Sequence, residues 1–451
     1  MLNLSEFKIL LKEQNEYYYR FTVECKEKPM FCTQCMWHKF GEDEKDMEFK
    51  VHSTKERTVT DIDDHGKAVK IVIKHKRYKC PYCGKTFYEP LQIVERNDKI
   101  TIRLKEQIQK ECLKEPFTTI GERYDLSHTS VRRYFEEWLS DQEQDREIKA
   151  PRILGIDEAH LNKTMRGVFT DIENKKLIEI TPNNLKRTVK ETILNMKGYK
   201  DIEVVTMDMA PGYRYACNEV IPEAFVVIDK FHVVQYVQMA FNRIRVDIKN
   251  SMDKRERKLL MNDKWILQSN KEDLKPNQIS IRDEWFKFYP QLGIAYWLKE
   301  NLRDIYLYSN GIEEATERFR AWNMSIPLDF KPYRELQKTY AACRQEILNY
   351  FIHPYTNAYT ESVNNVIKMV EKEGKGYSYE ILRAKVLYGT QATKRPKYGE
   401  SPFTTFDHVT MNNLNILGDG HTRIGTDYNN LIEGFGVDLI TLSKILEGGN
   451  F

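Results

Sequence analysis

The sequence has no long apolar run. Its longest stretches, such as Ile71-Val72-Ile73 and Phe225-Val226-Val227-Ile228, are far too short to cross a bilayer, which argues against a helical membrane protein. Cysteine is sparse, with 8 in 451 residues, too few for a disulfide-stapled scaffold. An excess of one charge is missing too. Lys and Arg number 70 against 67 Asp and Glu, a net of +3, so any surface for a polyanion must be local. The opening Met1-Leu2-Asn3-Leu4-Ser5-Glu6 lacks the basic and long apolar segments of a secretion signal, and a soluble cytoplasmic protein is expected. What is present suits a globular chain: 41% hydrophobic and 12% aromatic residues, with length for about three folding units.

Four of the cysteines are paired in sequence. Cys32-Thr33-Gln34-Cys35 and Cys80-Pro81-Tyr82-Cys83 are CxxC pairs, the second followed by Gly84-Lys85. A tight turn at each pair lets two thiolates converge, and two such knuckles close a tetrahedral zinc site. A redox pair or unrelated buried thiols would be the plainer reading. The matched pairs favour structural Zn2+, whose coordination holds together a lobe too small to fold well alone. His38 and His75 lie near, but four thiols already fill the shell. Cys25, Cys112, Cys217 and Cys343 are expected as core thiols. Between the pairs, Phe49–His52 and Val69–Ile73 read as strands around the turn Asp63-Asp64-His65-Gly66. From Lys67 to Lys85 the chain carries Lys67, Lys70, Lys74, Lys76, Arg77, Lys79 and Lys85 with no acid among them, a stripe that could rest on phosphates or, more plainly, protect a sheet edge.

Residues 100–140 read as helices. A Pro-opened helix over 116–124, a turn carrying a buried Leu126, and a helix from His128 to Leu139 capped by Ser127 form a helix-turn-helix. Val131, Phe135 and Trp138 would face inward. His128, Thr129, Arg132 and Arg133 would face outward, as types that reach base edges and phosphates in a major groove. An ordinary helical hairpin is the alternative.

After Pro151 short apolar strands end in acids: Ile153–Asp157, Ile202–Asp208 and Phe225–Asp229. A meander and helices between them predict a mixed sheet with helices on its faces, where acids at the carboxyl ends of neighbouring strands share a crevice. Asp157 and Asp208 so placed repel unless a cation lies between them, and oxygen ligands suit two Mg2+ or Mn2+ ions. The alternative is that both cap the following helices. Glu361 is the candidate third acid. On a helix it shares a face with Asn357, Asn364 and Asn365, while Val363, Val366, Ile367 and Val370 pack inward.

The strings Gly155-Ile156-Asp157-Glu158, Met207-Asp208-Met209, Asp229-Lys230-Phe231-His232-Val233 and Thr356-Asn357 through Glu361-Ser362-Val363-Asn364, in this order, resemble bacterial insertion-sequence transposases of the ISL-three type. The resemblance implies a multidomain α/β protein with an RNase H-like catalytic core, interrupted by an all-helical insertion. It implies a DDE triad of Asp157, Asp208 and Glu361, with Asp229 and His232 as auxiliary residues beside it and Asp229 as the fallback second metal ligand. It further implies double-stranded DNA as partner, both element ends and target, and a homodimer or larger assembly on DNA. The expected divisions are a zinc lobe over 1–98, the helix-turn-helix and linker over 99–150, the core over 151–235 and 351–398, the helical insertion over 236–350 and a tail over 399–451. The aromatic residues of the insertion, Trp265, Trp285, Phe286, Tyr289, Tyr296, Trp297, Phe319 and Trp322, are expected to fill its core, while Arg243 and Arg245 could lie along DNA. A DNA-binding regulator derived from a transposase and a nuclease or resolvase for branched DNA remain alternatives.

Overall fold

In the computed structural model, which describes residues 4–36, 48–374 and 376–392, the chain divides into two units, Met1–Asp145 and Arg146–Phe451. His38 and the expected tail over 399–451, with a short helix at its end, lie outside the described residues.

The first unit is built on strands β1 (Phe7–Gln14), β2 (Tyr18–Cys25), β3 (Lys50–Asp64), β4 (Lys67–Lys79) and β5 (Thr86–Tyr88). Strand order is β1-β2-β4-β3, with β5 paired to the end of β4. The β3–β4 hairpin turns at His65 and Gly66, both at positive φ (50° and 75°), the two-residue turn that matches strand twist. β4 lies between β2 and β3, so its lysines do not guard an edge. β1 and β2 were not legible in the sequence, because β1 buries only Phe7 and leaves its other side chains exposed. Phe7, Val23, Val59, Val69, Ile71 and Ile73 form the core of this sheet.

Three helices follow: α1 (Ile102–Glu111), α2 (Phe117–Tyr124) and α3 (His128–Gln144). The turn between α2 and α3 places Asp125 at φ 55°, and Ser127 caps α3 by accepting the Ser130 N–H at 3.2 Å. Gly121 permits that turn, since a Cβ there would stand 2.6 Å from the Leu126 carbonyl oxygen. Leu126 is half-buried rather than buried, as is Trp138, which stacks on Phe135. Asp61 of β3 accepts from Thr101 at 2.6 Å and Arg103 at 2.7 Å, so the sheet and α1 are tied across the expected boundary at residue 98.

The second unit has a five-stranded sheet of β6 (Ile153–Leu161), β7 (Thr164–Asp171), β8 (Lys176–Ile180), β9 (Val204–Met207) and β10 (Phe225–Ile228), in the order β10-β9-β6-β7-β8. β6, β7 and β8 are an antiparallel meander, and β9 and β10 continue parallel to β6. Between strands lie α4 (Lys186–Leu194) and α5 (Pro211–Val220). A helical region runs through α6 (Lys230–Ser251), α7 (Lys254–Asn262), α8 (Lys264–Gln268), α9 (Pro276–Phe288), α10 (Pro290–Tyr308), α11 (Ile312–Ser325), α12 (Lys331–Ala342) and α13 (Arg344–Leu348). The chain then returns in α14 (Ala358–Gly374) and α15 (Tyr379–Ala392).

Strand parity separates two cores. Leu154 and Ile156 point to the face covered by α4, α5 and α6, a core continuous with the helical region. Ala159 and Leu161 point the other way, against Val363 and Ile367 of α14 and Leu382 and Val386 of α15. Gly155 belongs to this second face. A Cβ on it would meet Ile172 and Thr170 at 2.5 Å and Thr360 of α14 at 2.6 Å, so only glycine lets the helix approach. Gly155→Ala is expected to destabilise the second unit by about 1–3 kcal/mol in chemical denaturation, the usual cost of overpacking.

Within the helical region Tyr296, Phe319 and Trp322 are buried, whereas Trp265 and Trp297 are each 42% exposed. Arg245 is buried against Asn242 and cannot lie along DNA, and Arg243 pairs with Glu335 on the surface. Among the described residues no helix is long and apolar enough to cross a membrane.

Candidate active site

The strand register aligns the acids. Gly155 of β6 pairs with Thr206 of β9, and Thr206 with Val227 of β10. Two residues further along each strand, on the same face, stand Asp157, Asp208 and Asp229. Neighbouring strands lie about 4.8 Å apart, so the register sets these three acids level with one another across β6, β9 and β10. Asp157 does not end its strand as the sequence suggested; β6 continues to Leu161, and Asp157 sits at its middle, opposite Val168. β9 and β10 stop at Met207 and Ile228, immediately before their acids.

α14 covers this face and brings Glu361 in its first turn. Glu361 Oε1 lies 3.7 Å from His232 Nε2, and Asp229, His232 and Glu361 offer ligand atoms all within 4.8 Å of one another. Asp157 and Asp208 are not part of that tighter group. Asp157 accepts from Asn364 Nδ2 at 2.9 Å and from the Glu158 N–H at 2.8 Å, and Asp208 accepts from the Ala210 N–H at 2.8 Å. Asp229, fully buried, caps α6 through the Phe231 N–H and also accepts the Asn357 N–H at 2.9 Å. Asn357 and Asn364 were expected on a polar stripe beside Glu361. Both are buried, because their amides satisfy strand carbonyls and carboxylates instead of water.

Crowded acids in a buried place hold their protons. Burial, with the Asp208 and Asp229 charges adding and His232 opposing, pushes Asp157 up to about 6. Burial and the Asp229 charge push Glu361 up to about 7, again against His232. Burial also raises Asp229. For His232 burial acts downward, but Asp229, Asp157, Glu361 and Asp208 together carry it above its ordinary value. Each shift means that the folded, metal-free protein binds protons more tightly than the unfolded chain, so its stability falls as pH rises. The melting temperature of the metal-free protein is expected to drop between pH 4 and pH 7, the window between ordinary carboxylates and these two. Adding Mg2+ at pH 8 should restore it. Four acids and one imidazole form a donor set that fits hard or borderline divalent cations.

In the first unit the four thiols of Cys32, Cys35, Cys80 and Cys83 lie within 4.8 Å of one another. Cys32–Cys83 and Cys35–Cys80 sulfur separations are both 3.9 Å, close to the roughly 3.8 Å edge of a tetrahedron with 2.3 Å zinc–sulfur bonds. The residues present therefore fit Zn2+. His75 is not among them; its ring bonds the Glu89 carbonyl at 2.8 Å and packs on Tyr88. Cys112, Cys217 and Cys343 are buried and Cys25 is half-buried.

His128, Thr129, Arg132 and Arg133 are exposed along α3. Arg132 pairs with Glu136, and Arg133 is held at 2.7 Å by the buried Asp98, which ties it to its own unit. On β4, Lys79 is exposed while Lys74, Lys76 and Arg77 are half-buried. Lys76 pairs with Glu24 at 3.2 Å, and Arg77 lies over the Tyr88 ring.

A family model described as a transposase, of the ISL3 type, matches residues 154–386. The chain belongs to the ISL3 transposase family. A second model, the helix-turn-helix domain of transposase family ISL3, matches residues 89–139 and so spans α1, α2 and most of α3. The chain is also 24% identical over 345 residues to the transposase for insertion sequence element IS1001 of Bordetella parapertussis, covering 73% of this chain and 82% of that protein.

In this ISL3 transposase the longer match contains Asp157, Asp208, Asp229, His232 and Glu361. Sequence reasoning missed the residues that hold them: Gly155, Thr170, Thr206 and Thr360. Their signal was faint but present. Thr206 interrupts the apolar Val204-Val205-Thr206-Met207 on the same parity as Asp208, where a valine would be expected.

Proposed function

We propose that this ISL3 transposase is a DDE enzyme with an RNase H-like core, which binds the terminal inverted repeats of its element, cleaves DNA at their ends and joins a 3′-hydroxyl to target DNA. The observation that carries the reading is the level row of Asp157, Asp208 and Asp229 on the face covered by the Glu361 helix. The meander followed by two parallel strands supports the core assignment.

Asp157, Asp208 and Glu361 would hold two Mg2+ or Mn2+ ions. When bound, these ions supply Lewis acidity that activates the attacking oxygen and offsets charge on the departing one. The protein's own groups orient the ligands. Asn364 fixes Asp157, the Ala210 N–H fixes Asp208, and His232 beside Glu361 favours its ionised form. Asp229, which accepts two backbone N–H groups and lies in the tighter group with His232 and Glu361, would be the fallback second metal ligand. Cys32, Cys35, Cys80 and Cys83 would hold structural Zn2+. His128, Thr129 and Arg132 on α3 would read the end sequence, with Lys79 on phosphates. Two ends must be brought together, so a dimer or larger assembly forms on DNA.

The test is a strand-transfer assay with labelled element ends, a target plasmid and Mg2+. Joined products that vanish in Asp157→Asn support the reading. Binding of the ends without cleavage would make the protein a regulator, and cleavage of branched DNA without end preference a resolvase.

A further inference from the structure

Asn357 stands at the N-cap of α14 and is fully buried. Its side-chain amide donates to the Ile156 carbonyl at 3.1 Å, the residue before Asp157 on β6. Its Oδ1 accepts from Thr206 at 3.3 Å, two residues before Asp208 on β9, and from Thr360 at 2.6 Å, next to Glu361. Its backbone N–H donates to Asp229 after β10, and its backbone carbonyl accepts the Glu361 N–H at 3.0 Å. Thr360 spends its one hydroxyl proton on Asn357, which leaves Thr170 of β7 to donate to Thr360 at 2.6 Å. Thr170, Thr206, Asn357 and Thr360 are all fully buried.

We infer that Asn357 is a positioning residue for the metal-binding acids: it ties the start of α14 to all three acid-bearing strands and so sets where Glu361 stands relative to Asp157, Asp208 and Asp229. No other side-chain type presents a donor and a twofold acceptor in this geometry without charge. Aspartate would face the Ile156 carbonyl with an acceptor, serine cannot span the gap, and leucine satisfies none of the three side-chain partners, Ile156, Thr206 and Thr360. Glu361 enters the site only one turn into the helix, so a small shift at the cap becomes a shift of its carboxylate. This inference rests on the metal reading of the acids.

The experiment compares Mn2+ binding by the full chain, read from the loss of the free-ion electron paramagnetic resonance signal, with cleavage of end DNA. In Asn357→Ser, Mn2+ affinity is expected to fall at least tenfold and kcat at least a hundredfold, with half-saturating end DNA changed less than twofold. Glu179→Gln is the stability control. Glu179 is buried and paired with Arg146 and Arg383 on β8, outside the acid row, so its loss should lower the melting temperature yet leave Mn2+ affinity unchanged. Thr206→Val removes one donor to Asn357 without changing shape and should weaken Mn2+ by two- to fivefold, which keeps the test open if Asn357→Ser fails to fold. Parental Mn2+ affinity in folded Asn357→Ser, or in Thr206→Val where the serine variant is unfolded, overturns the inference. So does an equal loss of Mn2+ affinity in Glu179→Gln. If the unsubstituted chain binds no Mn2+, the metal reading itself falls and this inference with it.

Discussion

Glu361→Gln is expected to lower DNA cleavage and strand transfer by at least about 10³-fold, the scale of several kcal/mol of lost transition-state charge stabilisation. Binding of element ends should stay within twofold, because Glu361 lies in the second unit and the helix-turn-helix in the first. Glutamine keeps the size of the side chain and removes only its charge. That charge is held at a cost in the metal-free protein: Glu361 is half-buried beside Asp229 and Asp157, which pushes its carboxyl up to about 7. The same substitution should therefore raise the melting temperature of metal-free protein at pH 8, while Mg2+ no longer stabilises it. A residue of merely structural importance would lose stability and activity together. Calorimetry with and without Mg2+, beside a gel assay of cleaved ends, distinguishes these cases.

The second large effect concerns the four thiols. The local core around them is small: Cys32, Phe49, Tyr78, Cys80 and Phe87, two of the five being the thiols themselves. Structural zinc contributes on the order of 10–16 kcal/mol in small domains, far more than such a cluster supplies by burial. Cys80→Ser, or prolonged chelation, should release one equivalent of Zn2+ and reduce binding of element ends at least a hundredfold. The second unit should keep its own melting transition. The loss of binding follows from the way the first unit is joined. Tyr78 lies in β4 and Cys80 follows it; β4 pairs with β3, and Asp61 of β3 holds Thr101 and Arg103 at the start of the helices matched by the helix-turn-helix model. Normal end binding by the serine variant would remove the case for zinc.

What could be read from the sequence was whatever repeats or runs. The apolar segments before Asp208 and Asp229 marked β9 and β10, the spacing of Val363 and Ile367 marked α14, and the CxxC pairs marked the thiol cluster. What could not be read depended on pairing. The alignment of Asp157, Asp208 and Asp229 follows from register, which no single strand encodes. Asp157 looked terminal because Glu158 and His160 are polar, although they occupy the alternate positions of a strand whose Ala159 and Leu161 are buried. Asn357 and Asn364 stood out in the sequence as amides unusual for a solvent face, but the carbonyls and carboxylates they bond across the interface could not be read from it. β1 was missed because one buried residue leaves no alternation to detect.

Crystals grown with Mn2+ and examined at its absorption edge test the central claim most directly. Two anomalous peaks about 4 Å apart, ligated by Asp157, Asp208 and Glu361, are the expected result. Mn2+ found only elsewhere on the protein, with those carboxylates left without an ion at saturating metal, would contradict it.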